Sequence, residues 1–224
     1  MRPGSIPSSS SGEDEAKQEP DAVVYVVDDD PSVRRALSRL LRSVGLPVET
    51  FPTAQAFLDS TPADLPACLV LDVRLPGPSG LDLQAALRES RRPLPIVFIT
   101  GHASVSTSVR AMKGGAVDFL QKPFNDQELL DCIQRALETS RRLRAEQAEH
   151  ADLAQRHAAL TGREREVLEL VVTGMLNKQI AASLGIAEKT IKVHRGRVME
   201  KMQADSIADL VRMSEKLAPQ PTRY

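Results

Sequence analysis

The chain has 224 residues, of which 42% are hydrophobic and 26% charged, and its formal net charge at pH 7 is −1. This length accommodates one large domain or two small ones, and the composition is that of an ordinary globular protein. The near-zero charge excludes a general electrostatic attraction to nucleic acid or anionic lipid, so any basic binding surface must be local.

Composition also predicts the compartment. No apolar run approaches the roughly 18 residues that cross a bilayer, which predicts a protein without membrane partners. Cys68 and Cys132 lie far apart and outside any CxxC or His-rich spacing. We therefore expect buried free thiols in a reducing cytoplasm, with a disulfide as the alternative. Residues 1–21 are polar, acidic and rich in Ser and Pro, which predicts a disordered tail rather than a signal peptide.

Between residues 22 and 138, short apolar segments alternate with segments of helical periodicity. Strands are predicted over 23–27, 48–51, 68–72, 96–100 and 117–122. Helices are predicted over 31–44, 54–58 and 81–87, a fourth helix is predicted to end within 108–115, and a fifth begins at 126. Nearly continuous apolar strands separated by helices are typical of a parallel sheet that is covered on both faces. The pattern favours a flavodoxin-like α/β fold with strand order 2-1-3-4-5.

The rest of the chain is predicted to be entirely helical. Residues 139–159 are rich in Ala, Arg, Glu and Gln and contain no Gly or Pro, which predicts a helical linker continuous with the fifth helix. In residues 160–215, Thr161 and Glu164 have the spacing of a capping box. Two later helices are joined by a short turn containing Gly185, which is typical of a helix-turn-helix. Residues 216–224 are assigned to a short tail.

Polar residues follow four of the five predicted strands. They are Asp28, Asp29 and Asp30 after the first strand, Asp72 after the third, Thr100 after the fourth and Lys122 after the fifth. In the order 2-1-3-4-5, strands 1, 3, 4 and 5 are successive neighbours about 4.8 Å apart. Functional crevices of such sheets lie outside the carboxyl ends of the strands, so we expect these side chains to share one pocket.

Each of these residues also has an ordinary structural role open to it. Asp30 before Pro31 has the pattern of a helix N-cap, and the others taken singly suit turns, caps or solvated surface. Together, however, clustered carboxylates favour a hard cation such as Mg²⁺. Asp72 can then act as a nucleophile toward a phosphoryl group, whose oxygens would be bound by the metal, Lys122 and Thr100.

The second helix of the helix-turn-helix is strongly basic. It carries Lys189, Lys192, His194, Arg195, Arg197 and Lys201 against only Glu188 and Glu200. Its apolar residues Ile191, Val193, Val198 and Met202 are expected largely to face the core. A charged helix face can simply be solvated, but in this context it indicates DNA binding, with the N-terminal part of the helix in the major groove.

These segments resemble a known family. "VVYVVDDDPSVRRAL", "LVLDVRLPGPSGLDL", "IVFITGHASV" and "AMKGGAVDFLQKPF" resemble the receiver domain of two-component response regulators. "LTGREREVLELVVTG" with "NKQIAASLGIAEKTIKVHRGRVMEKM" resembles the LuxR-type helix-turn-helix. The combination is similar to FixJ/NarL-type transcriptional regulators, with the resemblance spanning roughly 23–213.

The resemblance implies specific roles for residues of the receiver. It makes Asp72 the phosphoacceptor, Lys122 the phosphate partner, Thr100 and Phe119 the switch pair, and Asp28, Asp29, Asp72 and the backbone carbonyl of Arg74 the Mg²⁺ ligands. It also implies a cis bond between Lys122 and Pro123. The expected function is DNA-binding transcriptional regulation that is activated by phosphoryl transfer from a sensor histidine kinase.

The resemblance likewise implies how the second domain binds promoter DNA. Lys192, Val193 and Gly196 are expected to face the groove, and Thr190, Arg195, Arg197 and Lys178 to contact the backbone. Gly196 stands where relatives carry a longer side chain. Homodimerisation on phosphorylation and contact with RNA polymerase complete the expected partners.

Two other functions remain open at this point. The first is a Mg²⁺-dependent phosphatase resembling haloacid-dehalogenase hydrolases, which place a general acid two residues after the nucleophile. That position is Arg74 here, which argues against such turnover. The second is a phosphorylation-independent DNA-binding protein whose receiver serves only for dimerisation, an interpretation that leaves the complete Asp, Thr and Lys set unexplained.

Overall fold

A computed structural model describes residues 21–61, 63–90 and 94–218. The chain divides into two compact units between Ser140 and Arg141. The predicted disorder of residues 1–21 falls, apart from Asp21, outside the described residues, as does most of the predicted tail 216–224. Among the residues described, no helix is both long and apolar enough to cross a membrane.

The first unit is built on a five-stranded parallel sheet. Its strands are β1 (Val23–Val27), β2 (Val48–Phe51), β3 (Ala67–Asp72), β4 (Ile96–Thr100) and β5 (Asp118–Gln121). The order is β2-β1-β3-β4-β5, and every neighbouring pair is parallel. The predicted flavodoxin-like topology is therefore confirmed.

Helices cover both faces of this sheet. They are α1 (Pro31–Ser43), α2 (Ala54–Leu58), α3 (Gly80–Glu89), α4 (Val105–Lys113) and α5 (Asp126–Ala158). Alternate strand residues pack with α1 and α5 on one face and with α2, α3 and α4 on the other. Cys68 and Cys132 are buried free thiols, as predicted, and burial raises the pKa of Cys68 to about 12.

The start of α1 follows the predicted signals, but its end does not. The Asp30 side chain accepts a hydrogen bond from the Ser32 N–H at 2.7 Å, and Pro31 occupies the first helical position. Leu37 and Leu41 are buried against the sheet. The prediction that the helix includes Val44 was wrong, because the helix ends at Ser43 and Val44 is 49% exposed.

The second unit contains the C-terminal part of α5 and four further helices among the residues described. They are α6 (Gly162–Val172), α7 (Asn177–Leu184), α8 (Glu188–Met202) and α9 (Ile207–Leu217). The capping box of Thr161 and Glu164 is present. Gly185 ends α7 with a φ of 66°, a left-handed conformation that glycine adopts at little cost.

The core of the second unit lies between α6, α7, α8 and α9. Ile191, Val198 and Met202 of α8 are completely buried in it, as predicted. The expectation that Val193 faces this core was wrong, since its side chain is 49% exposed. Val193 follows Ile191 by two positions, and residues two apart on an α-helix point to different faces.

Candidate functional site

The site lies where β1 ends. Asp28 follows the last residue of β1 and is fully buried, and its N–H donates to the carbonyl of Phe51 in β2 at 3.2 Å. Its two carboxylate oxygens have separate partners: Oδ1 accepts from the Asp30 N–H at 2.9 Å, and Oδ2 accepts from Lys122 Nζ at 2.6 Å. The carboxylate is therefore fixed in both position and orientation.

Lys122 joins this carboxylate to the end of β3. Its Nζ also donates to Asp72 Oδ2 at 2.8 Å, while Asp72 Oδ1 accepts from the Arg74 N–H at 3.0 Å. The main chain of Lys122 is anchored by its own N–H, which donates to the Thr100 carbonyl at 2.8 Å. One ammonium thus bridges acids that are 44 positions apart in the sequence. The Lys122–Pro123 bond is cis, as the resemblance implied.

Burial and pairing shift the ionisation of this cluster. Burial raises the pKa of Asp28, and the hydrogen bond from Lys122 opposes that shift only in part. Burial alone would lower the pKa of Lys122, but its hydrogen bonds to Asp28 and Asp72 raise it on balance. Lys122 is therefore a permanent cation at neutral pH, available to a negatively charged group.

The Thr100 side chain lies beside this cluster, but its hydroxyl is hydrogen-bonded elsewhere. Thr100 and Phe98 are two positions apart on β4 and share the face covered by α3 and α4. The Thr100 side chain is 1% exposed, and its hydroxyl accepts from the His102 N–H at 3.3 Å. Phe119, the expected partner of Thr100, is half-buried on β5, with its ring centroid 6.3 Å from that of Phe98.

The acidic residues suit a divalent cation. Carboxylate oxygens of Asp28, Asp29 and Asp72 all lie within 4.8 Å of one another. Hard oxygen donors at such spacing, one of them exposed, are the ligands that Mg²⁺ prefers, and the exposed side leaves room for the waters that it retains. The residues present therefore fit Mg²⁺. The carbonyl of Arg74 as a fourth ligand stays a prediction.

Two residues of this site were missed from the sequence. A Cβ atom on Gly80 would clash with the Asp72 carbonyl oxygen, so only glycine allows α3 to begin so close to β3. Arg34 Nη1 donates to the carbonyls of Asp28 and Asp29 at 2.7 and 2.9 Å. The second glycine of "GPSG" is Gly80, and its presence in the sequence could have indicated this close approach. Nothing in the sequence distinguishes Arg34 from the other arginines of α1.

In the second unit, most of the predicted DNA-binding residues share an accessible surface of α7 and α8. The exposed ones are Lys178, Thr190, Lys192, Val193, Gly196 and Arg197. Arg195 differs: it is half-buried, and its Nη1 donates to Asn177 Oδ1 at 2.8 Å, which ties α8 to the start of α7. Beyond its own helix backbone and chain neighbours, a Cβ atom built on Gly196 would meet no atom of the described residues within 4 Å.

Lys201, at the far end of α8, has a structural role. Its Nζ donates to Glu164 Oε2 at 2.7 Å and to the Ala159 carbonyl at 3.2 Å. Counting it with the cations of a DNA-facing helix was therefore misleading. It fastens α8 to the start of α6.

Comparison with known proteins agrees with both halves of this description. A family model for the response regulator receiver domain matches residues 24–134, and one for bacterial regulatory proteins of the luxR family matches residues 158–214. Nodulation protein W of Bradyrhizobium diazoefficiens is 56% identical over 196 residues, which cover 88% of this chain and 86% of that protein. The chain belongs to the response regulators that join a receiver domain to a LuxR-type domain.

Other relatives and solved structures extend this result. The transcriptional regulatory protein FixJ of Bradyrhizobium diazoefficiens is 44% identical over 191 residues, covering 85% of this chain and 93% of that protein. The structure of response regulator StyR is 48% identical with a TM-score of 0.78, covering 88% of this chain and 99% of that chain. Full-length FixJ from B. japonicum is 42% identical with a TM-score of 0.55, covering 89% and 98%.

In this response regulator, the first unit is a receiver and the second a LuxR-type DNA-binding domain. A receiver implies a sensor kinase as partner, and a LuxR-type domain implies DNA. The protein is a transcription regulator rather than an enzyme that turns over an external phosphate ester.

Proposed function

We propose that a sensor histidine kinase transfers a phosphoryl group to Asp72, and that the aspartyl phosphate promotes dimerisation and promoter binding. The observation that carries this proposal is the Lys122 ammonium, which bridges Asp28 and Asp72 beside the accessible carboxylate of Asp29.

We take the receiver as 22–138, the linker as 139–159 and the DNA-binding domain as 160–215. Because it acts on promoter DNA, we place the protein in the cytoplasm.

The phosphoryl transfer needs little machinery beyond this geometry. An oxygen of Asp72 attacks phosphorus, the bond from phosphorus to the kinase histidine nitrogen breaks, and that nitrogen leaves with the electron pair. Asp28, Asp29, Asp72 and the Arg74 carbonyl would hold Mg²⁺, which when bound neutralises charge on the phosphoryl oxygens. Lys122, already 2.8 Å from Asp72 Oδ2, would follow the new negative charge and bind a phosphoryl oxygen.

Thr100 is positioned to report this event. Its hydroxyl accepts a long 3.3 Å hydrogen bond from the His102 N–H, so it can turn and donate to a phosphoryl oxygen on the neighbouring strand. The space that it leaves would allow Phe119 to pack further inward. This movement would change the surface of α4, β5 and α5, to which Phe119 belongs.

We propose that this surface pairs two receivers. Val105, Val109 and Met112 of α4 are 82%, 44% and 47% exposed, and their spacing of four and three residues places them in one stripe. An apolar stripe of this kind gains stability when it is covered. Pairing would bring two DNA-binding domains to half-sites about one DNA turn apart.

At each half-site, we propose that α8 enters the major groove. Lys192, Val193 and Gly196 would face the bases. Thr190, Arg195, Arg197 and Lys178 would contact the phosphates, with the Arg195 side chain oriented by its hydrogen bond to Asn177. RNA polymerase, recruited at the promoter, would be the final partner.

Phosphorylation of purified protein tests the central step. Incubation with a small phosphodonor and Mg²⁺ should add one phosphoryl group, and intact-mass spectrometry should show none on Asp72→Asn. Asp30→Asn is the matched control, because Asn also caps helices and the exposed Asp30 lies outside the metal cluster. Unchanged labelling of Asp72→Asn would refute the assignment.

A further inference from the structure

We infer that Arg34 is a positioning residue for the two metal acids that follow β1. Its guanidinium fixes the backbone that carries Asp28 and Asp29, and thereby places the Asp29 carboxylate at the metal site. This inference rests on the proposed function, because it takes both acids to be ligands of Mg²⁺.

The contact itself is specific. Arg34 Nη1 donates to the Asp28 carbonyl at 2.7 Å and to the Asp29 carbonyl at 2.9 Å. Along an extended strand, successive peptide groups point in opposite directions, so two consecutive carbonyls cannot meet one donor without a change in backbone direction. That change occurs at Asp29, where the chain bends between β1 and α1. The two hydrogen bonds from Arg34 stabilise the chain in this bend.

Arg34 is a rigid support for this bend. It lies in the first turn of α1, and its own N–H donates to the Asp30 carbonyl at 3.1 Å. The helix is fixed by the Asp30 cap and by Leu37 and Leu41, which are buried against the sheet. Because α1 is fixed against the sheet, the Arg34 guanidinium also fixes the two carbonyl groups to which it donates.

The two acids depend on this support to different degrees. The Asp28 carboxylate is held by Lys122 and by the Asp30 N–H. The Asp29 carboxylate, in contrast, is exposed and accepts no hydrogen bond from any other residue that the structure describes. Its place near Asp28 and Asp72 is consequently set by its backbone alone. Arg34 holds that backbone at the Asp29 carbonyl itself.

A purely electrostatic role for Arg34 makes the opposite prediction. A positive charge next to a cation site repels Mg²⁺, so removing the charge would strengthen metal binding. Removing a group that orients a metal ligand weakens binding, typically by about 10- to 100-fold. The sign of the change therefore separates the two roles.

The test is calorimetric titration of Mg²⁺ into the full-length, unphosphorylated protein. Arg34→Gln should weaken binding by about tenfold or more, and Arg34→Lys, which keeps the charge and a donor, should restore part of it. Arg35→Gln is the matched control: Arg35 is exposed, its side chain donates to no residue of the described ranges other than Ser32, whose Oγ lies at 3.3 Å, and it carries the same charge. It should bind Mg²⁺ at least as tightly as the wild type.

NMR chemical shifts of the backbone amides show whether the variant keeps its fold, so weaker Mg²⁺ binding can be separated from unfolding. Core amides of α1 and β1 should stay at their wild-type shifts in Arg34→Gln, with changes confined to the loop at Asp29. Combining Arg34→Gln with Asp29→Asn should weaken binding no more than Asp29→Asn alone, because both changes remove the same ligand. Full additivity of the two changes would overturn the inference.

The outcomes also separate this inference from the proposed function. Wild-type binding that is lost in Asp72→Asn but unchanged or tighter in Arg34→Gln would overturn the role of Arg34 alone. A wild-type protein that binds no Mg²⁺ would overturn both the metal assignment and this inference.

Discussion

Replacing Glu164 with Gln is expected to loosen the DNA-binding domain where α8 meets α6. Glu164 is 2% exposed, and its Oε2 accepts from the Thr161 N–H at 2.9 Å and from Lys201 Nζ at 2.7 Å. Gln also serves at this position of a capping box, so the variant keeps an acceptor for the Thr161 N–H. The substitution thus removes the charge and leaves the cap.

The magnitude follows from the burial of the two partners. Breaking a fully buried ion pair costs about 3 to 5 kcal/mol, whereas exposed pairs contribute about 0.2 to 1 kcal/mol. Here the carboxylate is buried but the Lys201 side chain is 35% exposed, so water screens one partner. We expect a loss of about 1 to 3 kcal/mol, between these limits.

The loss should depend on pH. The hydrogen bond from Lys201, followed by that from the Thr161 N–H, lowers the pKa of Glu164 from 4.5 to about 2. Since the folded pKa lies below the unfolded one, the stabilisation is complete above about 4.5 and is lost as the pH falls through about 2. The difference between wild type and variant should therefore shrink across this interval.

Hydrogen exchange measured by mass spectrometry resolves this effect by region, which is necessary because a chain of two units need not unfold in one step. Amides of α6 and α8 should exchange about 5- to 150-fold faster in Glu164→Gln at pH 7. Glu166→Gln is the control, because Glu166 is half-exposed in its pair with Arg163. Equal protection in wild type and Glu164→Gln, or a difference that persists unchanged at low pH, would refute the reasoning.

Four further substitutions test the receiver and the DNA-binding surface. Gly80→Ala should lower stability by about 1 to 3 kcal/mol in thermal melts, because its Cβ would clash with the Asp72 carbonyl of β3. Gly101→Ala should not, since its Cβ would meet no atom of the described residues within 4 Å besides its chain neighbours. Lys192→Ala should cost about 1 to 3 kcal/mol of specific DNA binding, and Lys178→Ala should lower the salt slope by about one, in fluorescence titrations at several salt concentrations. Thr100→Ala should still be phosphorylated but should dimerise poorly in analytical ultracentrifugation; dimerisation equal to that of the wild type would exclude Thr100 as the coupling residue.

Much of the receiver was predictable because its signals are local. Strands buried on both faces are continuous apolar runs, and Asp30 with Pro31 marks the start of α1. Topology then brings the strand ends together, so Asp28, Asp72 and Lys122 could be grouped before any distance was known.

The contacts that escaped prediction depend on side-chain reach or on exact helix ends. Arg34 reaches back over a bend, and Lys201 meets Glu164 across 37 positions, and neither contact leaves a trace in periodicity. Val44 was misplaced because apolar spacing continues one residue beyond the helix. The Thr100 hydroxyl is not hydrogen-bonded to Asp72 because side chains alternate along a strand. Thr100 lies on the opposite face of the sheet from Ile99, the residue that pairs with Asp72.

The central claim is that a phosphoryl group on Asp72 controls DNA binding, and the most direct test is DNA affinity with and without phosphorylation. DNA fragments would first be selected from a random library by the phosphorylated protein. Their affinity for the wild type should then rise on addition of phosphodonor and Mg²⁺, while Asp72→Asn should keep the unphosphorylated affinity throughout. Equal affinity of wild type and Asp72→Asn in the presence of phosphodonor would contradict the account.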